Sequence, residues 1–173
     1  MRAPVVVTLA FVVAVSLPGL ATTVEPLDDQ ALVARSDLIA VVVVTGVHAE
    51  RVGRRVFTFY DLDVADVWRS RDQVAPASVV LAVPGGVVDV EGRSLGQAVA
   101  GMPVLVVGRT YVLCLGDDVG PRGARGIVGL WQGAFAVLEG LQLRAFAHGG
   151  PAAQTIDGPA LRARLTSPAR EPR

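Results

Sequence analysis

The chain has 173 residues, and its 16 basic and 16 acidic side chains give a formal net charge of zero. Hydrophobic residues make up 51% of the sequence and charged residues 18%. A disordered chain is excluded, because disorder combines low hydrophobicity with high net charge. A strongly basic nucleic-acid binder is excluded as well, since no excess of cations is present to displace counterions from phosphates. We therefore predict a globular protein with no nucleic-acid partner.

The first 21 residues have the pattern of a secretory signal peptide. Arg2 supplies the positive start, residues 5–17 form an apolar run, and Pro18 and Gly19 interrupt it. The run is too short for a membrane-spanning helix, which needs about 20 apolar residues. Small residues precede a cut after Ala21, and an uncleaved anchor is the alternative. We expect a periplasmic or extracellular protein with no stable membrane span once the signal is removed.

Export favours disulfides, but Cys114 is the single cysteine of the sequence. The fold must therefore be held by its core alone. Because Cys114 lies within the apolar run 111–115, we predict a buried and unreactive thiol.

Helix and strand signals follow in chain order. Asp28 and Asp29 suit the first turn of a short helix over residues 26–36. Consecutive valines at 41–44 predict a strand over residues 38–47 that is apolar on both faces.

A second long strand is predicted over residues 56–68, after a hairpin turn at residues 51–55. Its apolar side chains alternate up to Val64, and then the phase slips. This slip predicts a β-bulge near Ala65 and Asp66.

The rest of the chain reads as short strands separated by glycine and proline. We predict a single helical turn at residues 95–100 and pairing of residues 104–107 with 110–115. The other predicted strands are 78–83, 87–90, 127–130, 134–137 and 141–146.

Many short strands at hairpin spacing predict a mainly β fold, a small antiparallel barrel or sandwich with a short N-terminal helix. A closed barrel would remove exposed sheet edges without disulfides. We assign the β domain to residues 22–150 and a tail rich in proline and arginine to residues 151–173. The sequence does not decide whether residues 159–165 form a short C-terminal helix.

The order of these segments resembles the order found in a known group of proteins. The resemblance rests on apolar and glycine positions within residues 31–37, 57–58, 64–68, 83–86, 101–103, 108–115 and 129–135. Over roughly residues 27–146 the chain resembles a group of uncharacterised bacterial exported proteins. Their barrel is similar to the OB-like domain of netrin modules and tissue inhibitors of metalloproteinases. The resemblance implies an OB-like closed barrel. Those inhibitors chelate zinc through an N-terminal cysteine, whereas the predicted mature chain starts at Thr22.

The segment Gly92-Arg93-Ser94-Leu95-Gly96 matches the nucleophile-elbow pattern of serine hydrolases. Asp117 or Asp118 and then His148 follow in the order of the other triad members. However, the elbow needs a buried strand before it and a long helix after it, and the surrounding sequence predicts neither. A polar turn is the preferred interpretation, and Ser94 is kept as the alternative nucleophile.

The sequence contains no convincing metal or cofactor site. His48 and Glu50 alternate on a strand and so share one face, but a zinc site needs three or four ligands. Strand carboxylates such as Asp61 and Asp63 lie too far apart for calcium without a looping glycine. We predict no metal, no cofactor and no phosphate loop.

Trp68 and Trp131 are the candidate anchors for a protein partner. Packing in the core or at the end of the barrel is the alternative for both, and it is the preferred interpretation for Trp131, which lies beside Gly129 and Gly133. The leading hypothesis is an exported, non-enzymatic binding domain for an extracytoplasmic protein, such as a secreted protease. The alternatives are a small serine hydrolase centred on Ser94 and a structural envelope protein.

Overall fold

The computed structural model describes residues 25–117, 120–146 and 155–167. The signal-peptide assignment of residues 1–21 lies outside them. The predicted mainly β, antiparallel fold is confirmed. The helices are α1 (Asp29–Arg35) and α2 (Gly158–Thr166). The strands are β1 (Leu38–Val52), β2 (Arg55–Ser70), β3 (Ser78–Pro84), β4 (Gly86–Val90), β5 (Arg93–Gln97), β6 (Thr110–Gly116), β7 (Gly126–Ile127), β8 (Ala134–Val137), β9 (Gln142–Ala145) and β10 (Thr155–Asp157).

The main sheet has the strand order β10-β9-β8-β6-β1-β2-β3, and β7 pairs with the end of β6. Its ladders are antiparallel and do not close into a barrel, because the order ends at β3 and β10. The segment before β7 is nevertheless joined to β3 by two backbone hydrogen bonds. The N–H of Arg125 donates to the carbonyl of Val80 at 2.8 Å, and the N–H of Ala82 donates to the carbonyl of Arg125 at 2.9 Å.

Strands β1 and β2 form the long hairpin that organises the sheet. The chain reverses in a two-residue turn in which Gly53 has φ of +61°, a conformation that glycine adopts without steric cost. The pairing register skips Ala65, which confirms the predicted bulge, and it skips Thr45 and Trp68 as well. Each bulge adds bend and twist, so the hairpin curls.

One face of the curled sheet buries the inner core. Its central members are Leu62 and Leu113, both almost fully buried. The tyrosine hydroxyls of this core accept hydrogen bonds from a loop that covers one end of it. Tyr60 accepts the N–H of Leu105 at 3.4 Å, and Tyr111 accepts the N–H of Val106 at 3.0 Å.

Two local predictions are wrong, and the strand predicted over residues 127–130 is confirmed only at Ile127, because a 3-10 turn begins at Leu130. Residues 104–107 form no strand, because backbone N–H groups of this segment bind tyrosine hydroxyls and the buried Leu105 anchors it as a loop. The helical turn predicted at residues 95–100 is replaced by β5, which pairs with β4 in a separate two-stranded sheet. Tertiary pairing overrides a weak local helix signal here.

The opposite face of the sheet carries the outer core, which α1 and α2 cover. Asp28 caps α1 by accepting the N–H of Ala31 at 2.7 Å. In α2, Leu161 and Leu165 are fully buried against Cys114, Phe135 and other sheet residues. Residues 151–173, which the sequence assigns to a tail, therefore supply β10 and α2. The short C-terminal helix, whose existence the sequence does not decide, is α2.

Asp37 ties together the ends of three strands beside the inner core. Its carboxylate accepts the N–H of Asp117 at 2.7 Å and forms an ion pair with Arg71. Its backbone N–H donates to the carbonyl of Leu115 at 2.8 Å. The side chain is only 8% exposed, so these partners are what compensate its burial. Within the described residues, neither helix has the length and apolar character required to cross a membrane.

Candidate functional site

Ser94 does not lie on a strand-to-helix turn. It is on β5, directly opposite Asp89 of β4, and its Oγ donates to Asp89 Oδ1 at 2.8 Å. The preceding residues Glu91 and Gly92 have positive φ and form the hairpin turn. Because a second strand follows the turn in place of a helix, the strained geometry of a nucleophile elbow is not formed at Ser94.

The other residues of the hydrolase hypothesis are not brought to Ser94 in the described part of the chain. Asp117 pairs with Arg125 at 3.2 Å and donates its backbone N–H to Asp37. Asp118 and His148 lie outside the described residues. Ser94 therefore has the environment of an exposed strand residue bonded to its cross-strand neighbour.

His48 and Glu50 occupy one face of β1, as the alternation predicts. The His48 ring stacks on Phe59 with centroids 5.2 Å apart, and Glu50 pairs with Arg122 at 2.5 Å. Among the residues that the structure describes, no group of three or more histidine, cysteine, aspartate or glutamate side chains could hold a metal ion.

Cys114 is fully buried in the outer core, as predicted. Burial raises the pKa of its thiol to about 12, because desolvation disfavours the thiolate, and this outweighs the opposing hydrogen bond with Ser36. Such a thiol stays protonated and is a poor nucleophile.

Trp131 lies half-buried in a 3-10 turn, Leu130–Gly133. Its ring occupies the space that a Cβ at Gly101 would need. Gly101 has φ of +82°, so the glycine serves both the backbone conformation and this close approach. The geometry favours the packing interpretation of Trp131.

Trp68 lines an apolar groove of about 330 Å³ on the outer face of the sheet. We name it the Trp68 groove. Its floor consists of the aliphatic side chains of four strands, and the start of α2 forms a wall. The principal lining residues are Val41, Trp68, Val112, Val137, Leu141 and Leu143. The helices leave this part of the outer face open.

The Trp68 ring is held by two charged groups. Its Nε1 donates to Asp66 Oδ2 at 3.2 Å, and the same oxygen pairs with Arg162 Nη1 at 3.1 Å. The Arg162 guanidinium lies over the ring, 5.6 Å from its centroid. Both charges are about half exposed, so the pair contributes less than about 1 kcal/mol, and its effect is to fix the orientation of the ring.

Leu141 also lines the groove and is 69% exposed. Its φ is +61°, in the left-handed region that leucine rarely adopts. Gly158 permits this position, because a Cβ there would lie 2.5 Å from the Leu141 carbonyl oxygen. An exposed leucine in a strained conformation beside a tryptophan is a feature of the surface that stability does not require.

The sequence singled out Trp68 but missed Leu141 and Arg162. Only the bulges of β2 against β1 could have hinted at an unusual surface near Trp68, and nothing local links residue 68 to residues 141 and 162. Comparison of the chain with protein-family models, with curated proteins and with solved structures found no match.

Proposed function

We propose that this chain is an exported, non-enzymatic binding domain that receives an apolar side chain of an extracytoplasmic protein in the Trp68 groove. The signal-like pattern of residues 1–21 supports export. The environment of Ser94 and the high pKa of Cys114 offer no activated nucleophile at either position. Binding is therefore the activity that the described residues support best.

The oriented Trp68 ring is the observation that carries this proposal. Binding hot spots are enriched in tryptophan and arginine and lie in pockets from which water can be displaced. Here the ring is held before any partner arrives, so less side-chain entropy is lost on binding. Arg162 and Asp66 neutralise each other at the rim. The groove thus suits a leucine or aromatic side chain, without a requirement for charge.

We also propose that the sheet is organised as an OB-like barrel. The hydrogen bonds of Arg125 to Val80 and Ala82 support this, since they link β3 to the segment that leads through β7 to β6. The resemblance to netrin modules and metalloproteinase inhibitors points the same way. A secreted protease is one partner class within the proposal, on that resemblance alone.

The test compares partner capture by matched variants. The mature chain is immobilised and exposed to extracytoplasmic proteins of the source organism. Leu141→Glu places a charge at the rim without altering the cores, and Val104→Glu is the matched control on an exposed loop residue. We expect a protein that the wild type and V104E retain and that L141E loses.

Circular dichroism establishes that all three chains are equally folded. A protein retained equally by L141E, or no protein whose retention depends on the groove, would contradict the proposal.

A further inference from the structure

A second cleft, of about 450 Å³, lies on another part of the surface. We name it the Arg55 cleft. It is lined by Arg55 and Phe57 of β2, Val83 of β3, Met102 and Ile127. None of its lining residues lines the Trp68 groove. Its volume is within the range of about 300–1,000 Å³ that small-molecule sites occupy.

The cleft leads from the surface towards the inner core. Val83 is a buried member of that core, and Met102 and Ile127 pack against it. The cleft lies where β3 and β7 are not paired with each other, beyond the two hydrogen bonds of Arg125. An aliphatic group that entered here would contact the same kind of surface that fills the inside of the sheet.

Arg55 contributes a cation to the cleft lining. Arg55 is the one charged residue among the described lining residues, and no acidic side chain of the described chain lies within salt-bridge distance of its guanidinium. Arg55 and Phe57 are two apart on β2 and therefore project on the same side of the strand. By contrast, Arg162 at the Trp68 groove is already paired with Asp66.

We propose that the Arg55 cleft binds a single-chain amphiphile with a carboxylate head. The planar guanidinium matches a carboxylate in two parallel hydrogen bonds, and the aliphatic tail lies against Phe57, Met102 and Ile127. A guanidinium that forms no ion pair with the described residues, next to mainly apolar lining side chains, favours a ligand with one anionic end. The proposal does not depend on the function proposed for the Trp68 groove.

The probe is dodecanoate, below its micelle concentration, measured by isothermal titration calorimetry with the folded wild-type chain. Dodecanol is the neutral comparison ligand. Arg55→Gln removes the charge, and Arg54→Gln is the matched control at the neighbouring exposed turn residue. We expect R55Q to weaken dodecanoate binding about tenfold or more, with R54Q unchanged. Dodecanol should bind the wild type more weakly than dodecanoate does, and equally to R55Q.

Met102→Trp fills the apolar end of the cleft and should weaken both ligands, which separates loss of the tail site from loss of the head site. Circular dichroism confirms that each variant is folded. Equal dodecanoate affinity for wild type and R55Q would overturn the proposal. So would equal loss in R54Q, or no measurable binding to the folded wild type.

Discussion

The two faces of the main sheet are completed in different ways. The inner face is filled by side chains of the strands themselves and covered at one end by the loop that Tyr60 and Tyr111 hold. The outer face depends on two short helices from opposite ends of the fold, α1 and α2. They cover Cys114 and Phe135 but leave the Trp68 groove open. The strands alone complete the inner face, whereas the outer face needs added helices and retains an open apolar groove.

The largest expected effect is on the free energy of unfolding, when one buried leucine on each face is truncated to alanine and the two losses are compared. Leu113→Ala should lower the free energy of unfolding by about 4 kcal/mol, because Leu113 is on the strand between β1 and β8 and the cavity cannot collapse. Leu161→Ala should cost only about 2 kcal/mol, since the short helix α2 can shift into the space. Urea denaturation gives both values. An equal cost would show that the outer helix is as rigid as the strands.

The next effect concerns Asp37. Asp37→Ala removes the partner of Arg71 and the acceptor of the Asp117 N–H, and should cost about 2 kcal/mol. The cost is limited because Arg71 is 54% exposed and water can solvate its charge. Asp37→Asn keeps an acceptor and should cost less. Thermal denaturation of both variants gives the comparison, and D37N as unstable as D37A would show that the charge, and not the hydrogen bond, is what matters.

Because Cys114 is buried in the outer core, the free energy of unfolding should also fall at alkaline pH. The pKa of Cys114 is raised from 9.0 to about 12, so the folded thiol keeps its proton after the unfolded thiol has lost it. The contribution of the buried Cys114 thiol to stability is therefore fully present below about pH 9, and it is lost as the pH rises towards 12. Between about pH 8 and 10 the free energy of unfolding should fall by about 1 kcal/mol more than in Cys114→Ala. Parallel pH profiles for the two proteins would contradict this assignment.

The smallest effect has the opposite sign. Leu141→Gly removes a side chain from a position with positive φ, so it should raise the free energy of unfolding by up to about 1 kcal/mol. The same substitution should weaken the partner binding that we propose for the Trp68 groove. Leu138→Gly, in the same loop but with φ of −107°, is the control and should not stabilise. A less stable L141G would mean that the exposed leucine contributes packing rather than strain.

The sequence predicted the β1–β2 hairpin and its bulge at Ala65 because periodicity and turn chemistry act over neighbouring residues. It failed at residues 104–107, where an apolar run looked like a strand. The partners that decide that segment are hydroxyls of Tyr60 and Tyr111, and the former is remote in the chain. Local pattern predicts how a segment can fold, whereas distant partners decide how it does.

The candidate site shows the same limit. Trp68 could be singled out by residue type alone. Its neighbours Leu141 and Arg162 are brought to it by the β8–β9 loop and by α2, and no spacing in the sequence connects them. The positive φ of Leu141 is found in a loop whose position the absence of a side chain at Gly158 permits, and leucine itself gives no sign of it.

The contribution of α2 to the wall beside Trp68 has a consequence for assembly. A ribosome releases β1 to β9 before this helix, so the strands can acquire their inner packing while the Trp68 groove still lacks this wall. A protease that cut between β9 and β10 and released the helix would likewise leave a sheet without this wall of the Trp68 groove. The Trp68 groove is thus complete only once synthesis has run through α2.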